Sequence, residues 1–199
     1  MALLKALACT WTSHGAKGRC AAGLVMWALL FCAGPEASAQ TTVSREYQVK
    51  AVFLFNFAQF VDWPSESFAS PQAPLIIGVL GDDPFDGFLD ETVRDEKVNN
   101  HPLVIRRYRW VDDIGTCHIL FISRSAAGQL GEILARLKDR HILTVGDAED
   151  FARRGGMIRF VTENNKIRLR INVDAAKAAE LTISSKLLRP AKIVITGEN

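Results

Sequence analysis

The sequence predicts an α/β domain: a mostly parallel sheet flanked by helices on both faces, with a late antiparallel β-hairpin. Three observations point to it. The runs Leu75 to Leu80 and Ile119 to Ile122 are apolar on both faces, as strands covered on both sides must be, and Ile142 to Val145 is a further strand. Segments of helical period stand between them, and the right-handed crossover rule then makes the strands parallel. Later, Met157 to Val161 and Ile167 to Ile171 alternate and are joined by Glu163-Asn164-Asn165-Lys166, the composition of a hairpin turn.

The chain opens on Lys5, Lys17 and Arg19, continues with an apolar run from Cys20 to Gly34, and reaches the small-x-small triplet Ala37-Ser38-Ala39. That order is the order of a secretory leader, so residues 1–39 are expected to be a cleaved signal peptide. The apolar run is shorter than the roughly 20 residues that span a bilayer and meets Pro35 and Glu36 at once, which disfavours a retained anchor. A start at Met26 would leave no basic region, and a lipoprotein reading at Cys32 meets the large Phe31 where a small residue is wanted. Residues 40–199 are then one domain, long enough for a single hydrophobic core.

The elements of that domain follow in order. Ser44 caps a helix running to about Trp63, with Glu46 in its first turn and Pro64 as its stop. Tyr47, Ala51, Leu54, Ala58 and Val61 form one stripe and Val49, Phe53, Phe57 and Phe60 another, so little of this helix faces water after Lys50. After the Leu75 to Leu80 strand, Asp83 caps a helix with Pro84 in its first turn and Phe85, Phe88 and Leu89 turned inward. Leu103 to Tyr108 is a strand whose Arg106 and Arg107 suit an edge or a half-exposed place. Ser123 or Ser125 caps a helix ending near Lys138, with Leu130, Ile133, Leu134 and Leu137 inward. Asp147 caps a short helix through Phe151 and Ala152 that Gly155 ends. Beyond the hairpin, Asp174 caps an alanine-rich helix, Ser184 or Ser185 caps another through Leu188, and Lys192 to Ile195 is a last strand.

Composition excludes some functions. Removing Lys5, Lys17, Arg19 and Glu36 from 24 basic and 22 acidic side chains leaves 21 of each, and a neutral mature chain argues against nucleic-acid binding. Cys9, Cys20 and Cys32 leave with the leader, so Cys117 has no intramolecular disulfide partner and reads as a buried, inert thiol. The turn Gly78-Val79-Leu80-Gly81-Asp82-Asp83 occupies the place of a phosphate cradle, but it lacks the dinucleotide glycine spacing and its carboxylates repel an anion, so it reads as a capping turn. His101, His118 and His141 share no metal-ligand spacing and read as strand-end histidines with ordinary hydrogen bonds. No Gly-x-Ser-x-Gly elbow is present, and the serine pairs and the Asp82-Asp83 and Asp112-Asp113 pairs read as helix caps. An unrecognised hydrolase therefore rests on nothing positive. No cofactor is expected.

Two features bear on binding. Arg153, Arg154, Arg159, Arg168 and Arg170 frame the hairpin, with Arg168 and Arg170 on one face and Arg159 opposite them, as a solvated face or a site for an acidic partner. Trp63, at the end of a largely buried helix, is either a core plug or an exposed interface anchor.

Five strings stand in a recognisable order: YQVKAVFLFNFAQFVDWP from Tyr47, GVLGDDPF from Gly78, CHILFIS from Cys117, ILTVGDAEDFARRGGMIRFV from Ile142 and ISSKLLRPAKIV from Ile183. Together they resemble the YfiR family of periplasmic proteins. The resemblance implies a non-enzymatic regulator that represses an inner-membrane diguanylate cyclase by binding its periplasmic domain, and that an outer-membrane lipoprotein relieves by sequestration. The implied output is a lower level of cyclic di-GMP and less biofilm. Two departures limit the transfer: Cys117 lacks the partner that gives some relatives a redox-responsive disulfide, and Pro190 replaces an apolar residue of the closing string. The expected protein is a periplasmic homodimer that meets its partner through Trp63, the helix end Phe151, Arg153 and Arg154, and Ser185 with Lys186. The alternative is a small-molecule sensor holding its ligand at the carboxyl ends of the parallel strands, near Asp82, Ser123 and Gly146.

Overall fold

The computed structural model describes residues 37–195, with side chains from residue 45 onward. The expected leader, residues 1–39, lies outside them apart from the helical backbone at 37–39. The order is α1 (Ala37–Phe60), β1 (Val61–Asp62), β2 (Leu75–Leu80), α2 (Phe88–Val93), β3 (Lys97–Val98), β4 (His101–Tyr108), β5 (Ile119–Ile122), α3 (Leu130–Arg136), β6 (Leu143–Gly146), β7 (Ile158–Glu163), β8 (Lys166–Ile171), α4 (Val173–Ala178), β9 (Thr182–Ile183), α5 (Ser185–Leu188) and β10 (Lys192–Ile193). Among the described residues the main sheet runs β10-β8-β7-β6-β5-β2-β4-β3. Its centre, from β7 across to β4, is parallel, while β8 returns antiparallel to β7 and β3 lies antiparallel against β4.

Both faces of the sheet are covered at β2, β5 and β6, which is why these strands carry no polar alternation. Ile77, Val79, Ile119, Phe121, Val145 and Phe160 pack with α1 and α2 in one core. Leu80, Leu120 and Ile122 turn the other way and meet Leu130, Ile133 and Leu137 of α3. Asn164 and Asn165, with φ of 50° and 58°, make the two-residue left-handed turn that the twist of the β7–β8 hairpin favours.

Five expected caps fall elsewhere, one of them at Ser123 and Ser125, whose hydroxyls cap no helix, α3 beginning only at Leu130. The helix α1 is already formed at Ala37, so Ser44 lies inside it, and it ends at Phe60 because Val61 and Asp62 leave to pair antiparallel with β9. Asp83 makes a local turn, its Oδ1 accepting from the Phe85 amide at 2.8 Å, and α2 begins only at Phe88. Asn172, not Asp174, caps α4 by accepting from the Ala175 amide at 3.0 Å. Residues 148–155 are consecutive turns in place of a helix, since the carboxylate meant to cap one is committed to α1.

The amino end of the sheet is closed by His118, which is buried. Its Nδ1 accepts from the Ile76 amide at 3.0 Å, so the proton sits on Nε2, which donates to the Ser67 carbonyl at 3.1 Å. Phe68 stacks on the ring at 4.4 Å and on His101 at 3.9 Å, and the Trp63 indole N–H donates to the His118 carbonyl at 3.2 Å. Trp63 is thus half-buried and bonded inward.

Burial holds the His118 imidazole below its ordinary range, so it is neutral when folded. Below about pH 6.5 the unfolded chain takes up this proton before the native one does, and stability falls with pH. Denaturant unfolding at pH 7.5 and 5.5 should show a lower midpoint at 5.5, with His118→Gln removing part of the difference.

Candidate functional site

The carboxyl end of the sheet holds the strongest electrostatic feature among the described residues. Lys50, 1% exposed, leaves α1 within the buried stripe and places its Nζ 2.5 Å from Asp147 Oδ2 just past β6. Glu46, one turn back, also lies 2.5 Å from this ammonium. Tyr47 donates its hydroxyl to the same Asp147 oxygen at 2.8 Å, and its ring carries the ammonium at 4.2 Å. Arg124, from the turn after β5, approaches Asp147 Oδ1 to 3.3 Å. Burial would raise the Asp147 carboxyl, but the hydrogen bond and charge of Lys50, helped by Tyr47 and Arg124, hold it below the usual range. Burial and the Asp147 charge together push the Tyr47 hydroxyl up. The sequence reading put Lys50 at the last watery position of the helix. Its spacing from Tyr47, Ala51 and Leu54, at i+3, i−1 and i−4, was the available signal that it shares their face.

The order of connection reverses between the parallel strands β2 and β5, with β4 on one side of β2 and β5 on the other, the position where open α/β folds bind ligands. Here it is closed. The Asp82 amide donates to Ser125 Oγ at 2.9 Å, Ser123 and Ser125 hydroxyls lie 2.7 Å apart, and a Cβ on Gly81 (φ +88°) would stand 2.6 Å from both. Ser123 and Gly146 are buried and reach no crevice, whereas Asp82 is exposed. Asp82 lines a cleft of about 650 Å³ with Trp110, 59% exposed, and Arg136. Arg107 at its rim is committed to Asp83 at 2.7 Å and to both oxygens of Asp90, which lowers the Asp90 carboxyl and raises the guanidinium.

The six expected contact residues divide between the two ends. The antiparallel pairing of β1 with β9, with the Ser184 amide on the Phe60 carbonyl at 2.9 Å, sends Trp63 and the exposed Ser185 and Lys186 in opposite directions along the strand pair. Arg153 and Arg154 are exposed on the turn after β6, Arg153 paired with Asp150 at 3.0 Å and Arg154 donating to the Ala127 carbonyl at 3.3 Å. Phe151 is the correction: its side chain is wholly buried against Gly146 and Gly156, where an added Cβ would come within 2.6 and 2.2 Å of the ring. It supports Arg153 from beneath and offers nothing to a partner.

At the amino end, Glu66, His141 and Glu180 bring three ligand-type atoms within 4.8 Å of one another, with both carboxylates exposed. The His141 Nδ1 is bonded to the Ala179 carbonyl at 3.1 Å. Cys117 is buried, and burial pushes its thiol up to about 12, as an inert core cysteine requires.

A YfiR/HmsC-like family model matches residues 47–192, from the first residue of the buried stripe to the start of β10. The chain belongs to the YfiR/HmsC-like family. Comparison with curated proteins gives no match. Membership makes the protein a member of a periplasmic, regulatory family that acts on diguanylate cyclases. Among the described residues no helix is long and apolar enough to cross a membrane.

Two measurements check the site. Lys50→Met leaves Asp147 buried without its main partner and should cost about 3–5 kcal/mol in urea unfolding, whereas Lys50→Met with Asp147→Leu should recover most of that loss. Cys117 should resist a thiol reagent at pH 8 in the native protein and react promptly in denaturant; fast native reaction would contradict its burial.

Proposed function

We propose that the mature protein is a periplasmic homodimer that represses an inner-membrane diguanylate cyclase, after export by a leader cleaved at Ala39. The observation that carries this reading is family membership over residues 47–192. The repressor binds the periplasmic domain of the cyclase more tightly in its inactive arrangement, and a tenfold bias needs only ~1.4 kcal/mol of differential affinity. An outer-membrane lipoprotein that sequesters the repressor restores synthesis. Arg153, Arg154, Ser185 and Lys186 are exposed and open to a partner, and Trp63 is half-buried.

A second reading, a sensor of a small ligand, is supported by the cleft beside Asp82 and Trp110. A ligand there would raise thermal stability in proportion to its concentration over Kd, and Trp110→Ala would remove the effect.

Cellular cyclic di-GMP separates the two. Deleting the gene should raise it and a plasmid copy should restore it; no change on deletion under several envelope stresses would overturn repression. In the repressor reading, the double variant Arg153→Ala with Arg154→Ala should weaken binding to the cyclase's periplasmic domain roughly tenfold, mostly through slower association at low salt.

A further inference from the structure

On the face of the sheet away from α1, three cations stand in a row across three strands. Arg159 on β7 is the register partner of Arg170 on β8, and Arg170 is that of Lys192 on β10, so the three side chains leave the same face. That face is opposite to the one on which the neighbouring Phe160 meets Phe53 and Phe57 of α1. Arg153, on the turn after β6, completes a cavity of about 190 Å³.

Like charges directly opposite in a sheet repel, and the backbone register prevents Arg159 and Arg170 from moving apart. Three carboxylates lie in reach: Asp150 holds Arg153 at 3.0 Å, Glu163 meets Arg170 only at 3.3 Å, and Glu149 acts with Asp150 on Arg159 by charge alone, which leaves four cations facing three anions. Arg159 has the least relief, because its Nε is buried with no hydrogen-bond partner among the described residues. Burial, and then the Arg170 charge, hold its guanidinium below the ordinary range. A merely solvated arginine face would keep that N–H in water; here water does not reach it, and a buried donor left unmade costs stability.

We propose that this cavity is a receptor for a doubly charged phosphate-type oxyanion, free or carried on a small ester or a lipid headgroup, held by the charges of Arg153, Arg159, Arg170 and Lys192 that line it. A carboxylate offers only two oxygens to three guanidinium forks and an ammonium, whereas a phosphate monoester offers three terminal oxygens in a tetrahedral array and the larger charge. The site is independent of the repressor reading and is tested on the protein alone.

The experiment is calorimetric titration of the purified chain, in chloride buffer at constant ionic strength, with inorganic phosphate and with glycerol 3-phosphate, beside co-sedimentation with phosphatidylcholine vesicles with and without phosphatidic acid. Saturable one-to-one binding of either soluble probe identifies a solute receptor, and capture only by vesicles containing phosphatidic acid identifies a headgroup receptor. In both cases Arg159→Leu should weaken binding at least tenfold while its melting temperature without phosphate does not fall. Arg170→Leu reads the same loss should Arg159→Leu fold poorly. Arg168→Leu, on the same hairpin but outside the cavity, should leave affinity unchanged. No saturable binding of any probe, or an equal loss in Arg168→Leu, overturns the proposal.

Discussion

The seating of α1 depends on the buried pair between Lys50 and Asp147. Taking an ammonium and a carboxylate out of water costs several kcal/mol for each ion, and attraction offsets that only where geometry is close and the remaining polar atoms are engaged. The surroundings meet most of that condition: Tyr47 donates to one carboxylate oxygen, Glu46 lies against the ammonium and the Tyr47 ring covers the cation, while the other carboxylate oxygen makes no hydrogen bond and has only the Arg124 charge at 3.3 Å. An apolar stripe by itself tolerates rotation and sliding, because one aliphatic contact substitutes for another. A buried charge does not, so this pair sets which face of α1 meets the sheet and at what height. Phe53 and Phe57 then reach Phe160, Val61 reaches β9, and Trp63 arrives at the His118 carbonyl.

The same pair shapes the far side of the sheet. With its carboxylate drawn to α1, Asp147 cannot start a helix, and residues 148–155 fold as turns instead. Phe151 is driven inward, where only the missing side chains of Gly146 and Gly156 make room for its ring. That anchor holds Asp150 and Arg153 over β7 and β8, which is how a turn after one strand comes to wall a cavity built on its neighbours. A constraint on one face of the sheet therefore fixes the placement of charge on the other.

What was legible in the sequence follows from range. The strands covered on both faces, the hairpin with its paired asparagines and the main stripe of α1 are written in local periodicity, and the structure has them. The caps were misread where a second acceptor or a distant partner competed: Asn172 outbid Asp174, and Asp147 was taken by a helix 97 residues away in sequence. Pairing of Val61–Asp62 with Thr182–Ile183 has no local signature at all, since two residues carry no period. Lys50 was misjudged because a lysine is assumed to mark a helix's wet side, although its phase placed it with Tyr47 and Leu54. For Arg159 the residue types were visible, but the cross-strand register that opposes it to Arg170 needed the fold.

The neutral charge of residues 40–199 limits how they can recognise anything. With 21 cations and 21 anions there is no net field to steer a partner from afar, and at physiological salt a charge is screened beyond about 8 Å. Recognition must therefore come from local separation of charge, and the two ends of the sheet differ in this respect. At the amino end, neutral His118 and the inward-bonded Trp63 leave a dry, satisfied closure. On the side of β7, β8 and β10, four cations and three carboxylates crowd about a single small cavity, closer together than the screening length. Uncompensated charge that the fold holds at that density is relieved only by an anion that enters it, and this makes the β7–β8–β10 side, rather than the strand-end crevice closed by Ser123 and Ser125, the part of the surface at which binding changes the electrostatics of the protein most.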